Sequence, residues 1–346
     1  MDQIEVILAE DGPRGKAGSK VQLAVQPIET YDPTEVSSYA SGFHQQGFLA
    51  DLVAPEMPVD KEVFKLRSFD SADVFQLVNV LVGHEDEPQE IRFRSSLTEY
   101  RANWRMIGSF VNVATEMQAG PNVNPRMASA RRIMNAMKLY REWEVFSILL
   151  DPTKWGAGQV STLDGTTKWN GGSGRNIYGD LAQMVEDSEQ EIDFFVTSRV
   201  VANLMLQDTA FREMLKVFLG DAGFRGTVES LNMKDKETII TAPGLPPIYV
   251  AKARIRNEAT GNNDRIVQDA VIGIVSGPIP TDGESVSTAK TARLKGMPGS
   301  SGGFVSREYD VPGRGPLGGR MLVISACEKP IMTGPTVGGL LYNVIQ

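Results

Sequence analysis

The chain has 346 residues, a formal net charge of −8 and one cysteine, Cys327. The acidic balance argues against a dedicated nucleic-acid binder, which carries a basic face, and a lone cysteine rules out an intrachain disulfide framework or a cysteine-built zinc cluster. No apolar run approaches the roughly 18 residues of a membrane span, and the start, "MDQIEVILAEDGPRGK", lacks a signal-peptide block, so a soluble, non-secreted chain of roughly two to three lobes is expected.

Residues 1 to 55 are polar and interrupted by prolines, with no sustained period, and read as an extended arm that needs partners to stay ordered. "VFKLRSFDSADVF" and "IRFRSSLTEYRANW" flank an acidic turn, "GHEDEPQE". Ile91 and Phe93 alternate with Arg92 and Arg94, the mark of a strand with one polar face. Together the two stretches predict a long two-stranded ribbon, which is marginal without a neighbour to pack on.

"NPRMASARRIMNAMKLYREWEVFSILLDPTKW" follows. Asn124 suits an N-cap and Pro125 the first helical position, and Pro152 forbids continuation. The length predicts a helix of about 25 residues, or roughly 37 Å. Ala136, Tyr140, Trp143 and Leu150 are expected on one buried stripe, widened by Ile133, Met137 and Leu139. Arg131, Asn135, Lys138 and Glu142 are expected on the opposite, solvated face. Beyond a Gly-rich segment, "GDLAQMVEDSEQEI" is predicted helical, "DFFVTS" a buried strand, and "SRVVANLMLQDTAFREMLK" a helix capped by Thr197 or Ser198. From Thr238 on, strands dominate: "TIITA", "PIYVAKARIR", "DAVIGIVSG" and "RMLVISACEK". The mix is α+β, without βαβ alternation or internal repeats.

Catalytic signals are weak. "GSSGG" around Ser301 matches a loose G-x-S-x-G pattern, but the strand–Ser–helix context of a nucleophile elbow is missing. A triad in the order His, Asp, Ser would have to draw on His44 or His84, far upstream. "NGGSGRN" lacks the Gly-Lys-Ser/Thr ending of a phosphate loop, and no metal-ligand spacing occurs. A long helix, a protruding ribbon and an extended arm without an active site suit a protein that assembles with copies of itself. No cofactor is expected.

The residues then carry a resemblance. "FLADLVAPEMPVDKEVFKLRSFD", with Leu49, Ala50, Val53, Pro55, Pro58 and Val59, "REWEVFSILLDPTKWG", "DFFVTSRVVANLMLQDTAFREMLK" and "GGLLYNVIQ" resemble, in this order, segments of the major capsid proteins of tailed bacteriophages with the HK97-type fold. The similarity runs over most of residues 43 to 345. It implies an N-terminal arm (1–55), an E-loop with flanking strands (56–123), a spine helix and peripheral loop (124–175), an axial domain (176–325) and a C-terminal strand (326–346). It further implies self-assembly into hexamers and pentamers of an icosahedral head around double-stranded DNA held non-specifically, with possible scaffolding, portal or decoration proteins, no membrane, and residence in the virion after assembly in the bacterial host cytoplasm. Lys61, Lys65, Arg67, Glu85, Glu87, Arg92 and Arg94 become candidate intersubunit contacts, and Ile133, Met137, Tyr140, Trp143 and Trp155 the spine-helix core. The Gly-rich stretch around 280–320 reads as an extra loop or surface insertion. An encapsulin-like compartment shell and a serine hydrolase using Ser301 are the alternatives.

Overall fold

The computed structural model describes residues 48–69, 95–118, 124–171, 174–232, 239–258, 261–277, 287–296, 300–301, 304–315 and 317–345. In chain order come helix α1 (Ala50–Val53), strand β1 (Glu56–Val59), ribbon strands β2 (Val63–Phe69) and β3 (Ser95–Arg101), strand β4 (Asn103–Asn112), helix α2 (Val113–Gln118) and the long helix α3 (Pro125–Leu149). Next are β5 (Val160–Thr162), α4 (Ile177–Asp187), β6 (Phe194–Ser198), α5 (Arg199–Gln207) and α6 (Thr209–Asn232). Short strands follow: β7 (Ile239–Ile240), β8 (Ile248–Ala251), β9 (Arg254–Arg256), β10 (Asn263–Arg265) and β11 (Val271–Ile274). The chain closes with β12 (Ala289–Leu294), β13 (Ser300–Ser301), β14 (Phe304–Val311), β15 (Gly319–Met332) and β16 (Gly339–Tyr342).

Local chemistry sets the boundaries. The Asn124 side chain accepts the N–H groups of Arg126 and Met127, and Pro125 opens α3 where its missing N–H costs nothing. The stretch predicted as one helix after Ser198 is two, because Asp208 leaves helical geometry and its carboxylate accepts the N–H of Phe211 to start α6. Gly220, at φ 70° and ψ 165°, kinks α6 in turn. "PIYVAKARIR" is likewise divided: β8 joins a large sheet, whereas β9 pairs with β10 in a separate two-stranded sheet.

Two six-stranded sheets organise the molecule. One has the order β5-β16-β11-β6-β8-β7. Its period-2 alternation divides side chains between two cores. Phe195, Val271 and Leu341 face a core closed by α4, α5 and α6 through Leu181, Val201, Met205, Phe211 and Leu215. Phe194, Val196, Ile272, Ile274 and Leu340 face a second core with α1 and the end of α3, through Leu49, Val53, Val145, Phe146 and Leu149. The α4 layer lies so close that a Cβ on Gly273 would stand 2.6 Å from Ile192 Cδ1, and one on Gly339 2.7 Å from Met184 Cγ.

The other sheet is built on β15, which pairs with β4, β12 and β14, while β1 adds in parallel to β12 and β13 pairs with β14. Leu322, Ile324, Ala326 and Phe304 meet Ile133, Met134 and Met137 of α3 on one face. The Gly-rich stretch expected as an insertion therefore holds β12, β13 and β14, integral strands of this sheet. The expected boundary at 325/326 falls inside β15, and Leu49, Ala50, Val53 and Ala54, expected in the free arm, are buried in the subunit's own core.

α3 thus serves two cores. Its buried positions run from Ala130, Ile133, Met134 and Met137 to Glu142, Val145, Phe146 and Leu149, a drift of roughly a third of a turn around the axis at 3.6 residues per turn. That drift corrects the expected stripe: Tyr140 is 46% and Trp143 40% exposed, Ala136 is exposed, and Glu142 is 0% exposed. A single helical wheel assumes one partner surface, and this helix has two.

Candidate assembly interface

Where α3 passes from one core to the other, the interior turns ionic. Glu328 of β15 is 1% exposed. It accepts hydrogen bonds from Arg105 Nη1 at 2.8 Å, from Arg141 Nε and Nη2 at 3.1 and 2.6 Å, and from Arg293 Nη2 at 3.4 Å. Arg141 also reaches Asp51 at 2.8 Å, Arg105 bonds Glu144, Arg293 bonds Glu56, and Lys329 lies 4.0 Å from Glu144. Four cations meet four carboxylates, so the cluster is neutral. Phe304 lies beneath Arg141 and Arg293, whose guanidinium carbons are 4.6 and 5.6 Å from the ring centre. Burial pulls the Arg141 guanidinium down, and Glu328 and Asp51 more than reverse that, leaving its pKa raised. The cluster joins α1, β1, β4, α3, β12 and β15. Such networks add little net stability, but removing one member is costly because the others stay buried.

Glu142, the neighbour of Arg141, has a different task. Its carboxylate accepts the Leu49 N–H at 3.1 and 3.0 Å and the Ala50 N–H at 2.7 Å, fixing the point where the N-terminal segment joins the body. Burial pushes its pKa up to about 7, against the pull of those two N–H groups.

The β15 sheet is finished on the α3 side and open on the other. The base of the β2–β3 ribbon covers one end of the open face: Phe64, Leu66 and Tyr100 pack on Met57, Val59, Ala292 and Ile331, and Phe64 also on Ala102, Val305 and Cys327. Elsewhere on this face large side chains remain exposed. Trp104 is 53%, Met106 73% and Tyr309 38% exposed, beside half-buried Phe110, Met321 and Val323. Alternation places Trp104, Met106 and Phe110 of β4 together, opposite Cys327, Ser325 and Met321 of β15.

The expected contact residues fall as follows. Lys61 and Lys65 are exposed, with Lys65 directly across the ribbon from Glu99. Arg67 lies in β2, its side chain outside the described residues; Glu85, Glu87, Arg92, Arg94, His44 and His84 also lie outside them. Ile133, Met137 and Trp155 are buried, and the Trp155 indole donates to the Leu149 carbonyl at 2.8 Å. Ser301 sits in β13, not in an elbow before a helix. Among the described residues no His, Cys, Asp and Glu side chains group as metal ligands, and no helix is long and apolar enough to cross a membrane. Sequence reasoning missed the ionic cluster, whose members are far apart in the chain, and the open face. "NWRMIGSFVN" carried a signal for the latter in Trp104, Met106 and Phe110, which fall on the same side of a strand at even spacings of two and four.

This architecture has counterparts. A phage-related protein from Bordetella bronchiseptica RB50 superposes with a TM-score of 0.66 at 17% identity, over 92% of this chain and 99% of that one. The putative capsid protein of an E. coli CFT073 prophage does so at 0.58 and 11% identity, over 90% and 99%. The chain has the HK97-type capsid fold. In sequence it is 24% identical over 314 residues to the major capsid protein of Pseudomonas phage JBD67, covering 91% of this chain and 97% of that protein. No family model matches the chain.

Proposed function

We propose that this chain is a major capsid protein, a structural subunit whose copies form the shell of a phage head. The observation that carries the reading is the end-to-end likeness to the JBD67 major capsid protein, 24% over 91% of this chain, joined to a sheet that leaves Trp104, Met106 and Tyr309 exposed in the isolated subunit. An uncovered apolar face of this kind marks a surface used in association.

Finer parts of the proposal rest on the fold. Copies would group as hexamers and pentamers of a closed icosahedral lattice, in which weak contacts gain strength by repetition. The ribbon, with Lys61, Lys65 and Arg67, and the segment that carries Glu85, Glu87, Arg92 and Arg94 would lie against a neighbouring copy. The sheet around β15 and α3 would form the peripheral domain, and the sheet with α4, α5 and α6 the axial domain. The shell would enclose double-stranded DNA without reading its sequence, alongside scaffolding or portal proteins, and assembly would take place in the bacterial cytoplasm. The subunit would perform no catalysis, Ser301 included.

Electron microscopy of the expressed full chain tests the reading: closed shells of uniform size are expected. A chain that remains monomeric at high concentration and with its own phage's scaffolding components would overturn it. Deleting residues 70 to 94 should leave a folded subunit that forms no shells.

A further inference from the structure

The β9–β10 hairpin concentrates positive charge on one face. Its register sets Arg254 directly across from Arg265, and Arg256 across from Asn263. Like charges directly opposite in an antiparallel pair are destabilising. Alternation places Arg254, Arg256 and Arg265 on the same face. Asp264 lies on the other, where its carboxylate accepts Asn257 Nδ2 at 2.9 Å. A fourth arginine comes from a second element. Ser198 at the end of β6 is in register with Ala251 at the end of β8, so Arg199, which opens α5, emerges beside the strand that leads into the hairpin. Burial first, then the charges of Arg254 and Arg199, hold the pKa of half-buried Arg265 below its ordinary value. Arg254 and Arg256 are exposed, and Glu258 lies past the last strand pair, in the turn. Among the described residues no carboxylate forms an ion pair with Arg254, Arg256 or Arg265.

We infer that this face of the hairpin binds phosphate groups of a nucleic-acid backbone, without reading its bases. A guanidinium is always charged and donates through a planar fork that matches two phosphate oxygens. Arg254 and Arg256, two residues apart on a strand, stand about 6.7 Å from each other, and Arg265 and Arg199 widen the row sideways. One Asp or Glu of a neighbouring protein would neutralise only one of these charges. A DNA strand brings a phosphate at about every 3.4 Å of rise. The whole chain carries 43 acidic against 35 basic side chains, so its general field repels DNA, and contact has to be made through a locally cationic face. Each subunit would supply one weak contact, summed over the copies of a shell, with the hairpin turned to the interior. Packaged DNA as the source of the phosphates rests on the proposed capsid role.

Fluorescence anisotropy of a short, mixed-sequence DNA duplex titrated with the full-length chain at low salt tests the site. Binding that is indifferent to sequence and falls steeply with salt is expected. Arg254→Gln combined with Arg265→Gln should weaken it about ten-fold and lower the salt slope by about two. The same double variant should keep its far-UV circular dichroism and unfold at an equal or higher denaturant concentration, because a like-charge pair has been removed. Arg131→Gln combined with Arg132→Gln, at exposed positions of α3, should leave binding unchanged. No binding of the duplex, or equal losses from the two double variants, would overturn the inference. So would a polyglutamate peptide that competes as well as DNA, which would assign the arginines to carboxylates. Microscopy reads the capsid role separately: shells from a chain that ignores the duplex overturn the phosphate site alone, whereas a chain that forms no shells overturns the capsid reading whatever its affinity for DNA.

Discussion

In the sheet that runs from β5 to β7, every central strand sends alternate side chains into one of two closed cores, and Phe195, Val196, Val271 and Ile272 are all 0% exposed. In the sheet around β15, Leu322 and Ile324 are buried under α3 while Trp104 and Met106 on the opposite face meet solvent. The first sheet completes its burial inside one chain. The second completes only half, and its covered half includes an ionic cluster centred on buried Glu328, Arg141 and Arg293 beside its apolar packing. Folding and association are thereby separated: interior substitutions on either sheet should cost the subunit its stability, whereas substitutions on the open face should cost only assembly.

The sharpest way to break this comparison is to remove the centre of the ionic cluster. Glu328→Ala leaves three arginines without their shared carboxylate in a buried site, and a loss of about 3–5 kcal/mol in denaturant unfolding is expected. A loss below 1 kcal/mol would mean that water reaches the cluster. Phe146→Ala tests the other region. It empties a 0% exposed site between α3 and the fully covered sheet, and should also cost about 3–5 kcal/mol. Trp143→Ala on the outer face of the same helix should cost under about 1 kcal/mol. Equal losses at the two positions would refute the drift of the buried face along α3.

A pH series separates Glu142 from the ion cluster. Its pKa is raised in the fold from 4.5 to about 7, so between these values the folded chain binds a proton that the unfolded chain does not. The associated stability is fully present below pH 4.5 and is lost as pH rises through about 7. The contribution is of the order of 3 kcal/mol. Glu142→Gln should flatten the unfolding free energy across this window, and an unchanged slope would assign the titration elsewhere. The smallest effect on the subunit belongs to the open face. Met106→Glu, at a 73% exposed position, should change unfolding by no more than about 0.5 kcal/mol while abolishing shells seen by microscopy. Normal shells from this variant would show that the face is not an interface.

Much of the fold was legible in the chain because it depends on neighbours in sequence. Asn124 bounds α3 through its side-chain acceptor, Pro125 and Pro152 through their missing N–H groups and fixed φ, and "DFFVTS" declared a buried strand by its run of apolar and β-branched side chains. The ribbon strands and the resemblance to phage capsid proteins were also readable, since alternation and motif order survive in linear form. The orientation of α3 was not. Tyr140 and Trp143 are large aromatic residues like Phe146, and only the two sheets against which the helix packs, through strands not adjacent to it in sequence, decide which aromatic rings it turns inward. Arg141 and Glu142 read as solvated charges because nothing local announces Glu328 or the Leu49 and Ala50 N–H groups. Local covalent geometry and periodicity therefore determined the elements and their ends. Burial of charge, the facing of each stripe and the open side of the β15 sheet were decided by tertiary structure, because each depends on which distant groups share the same low-dielectric space.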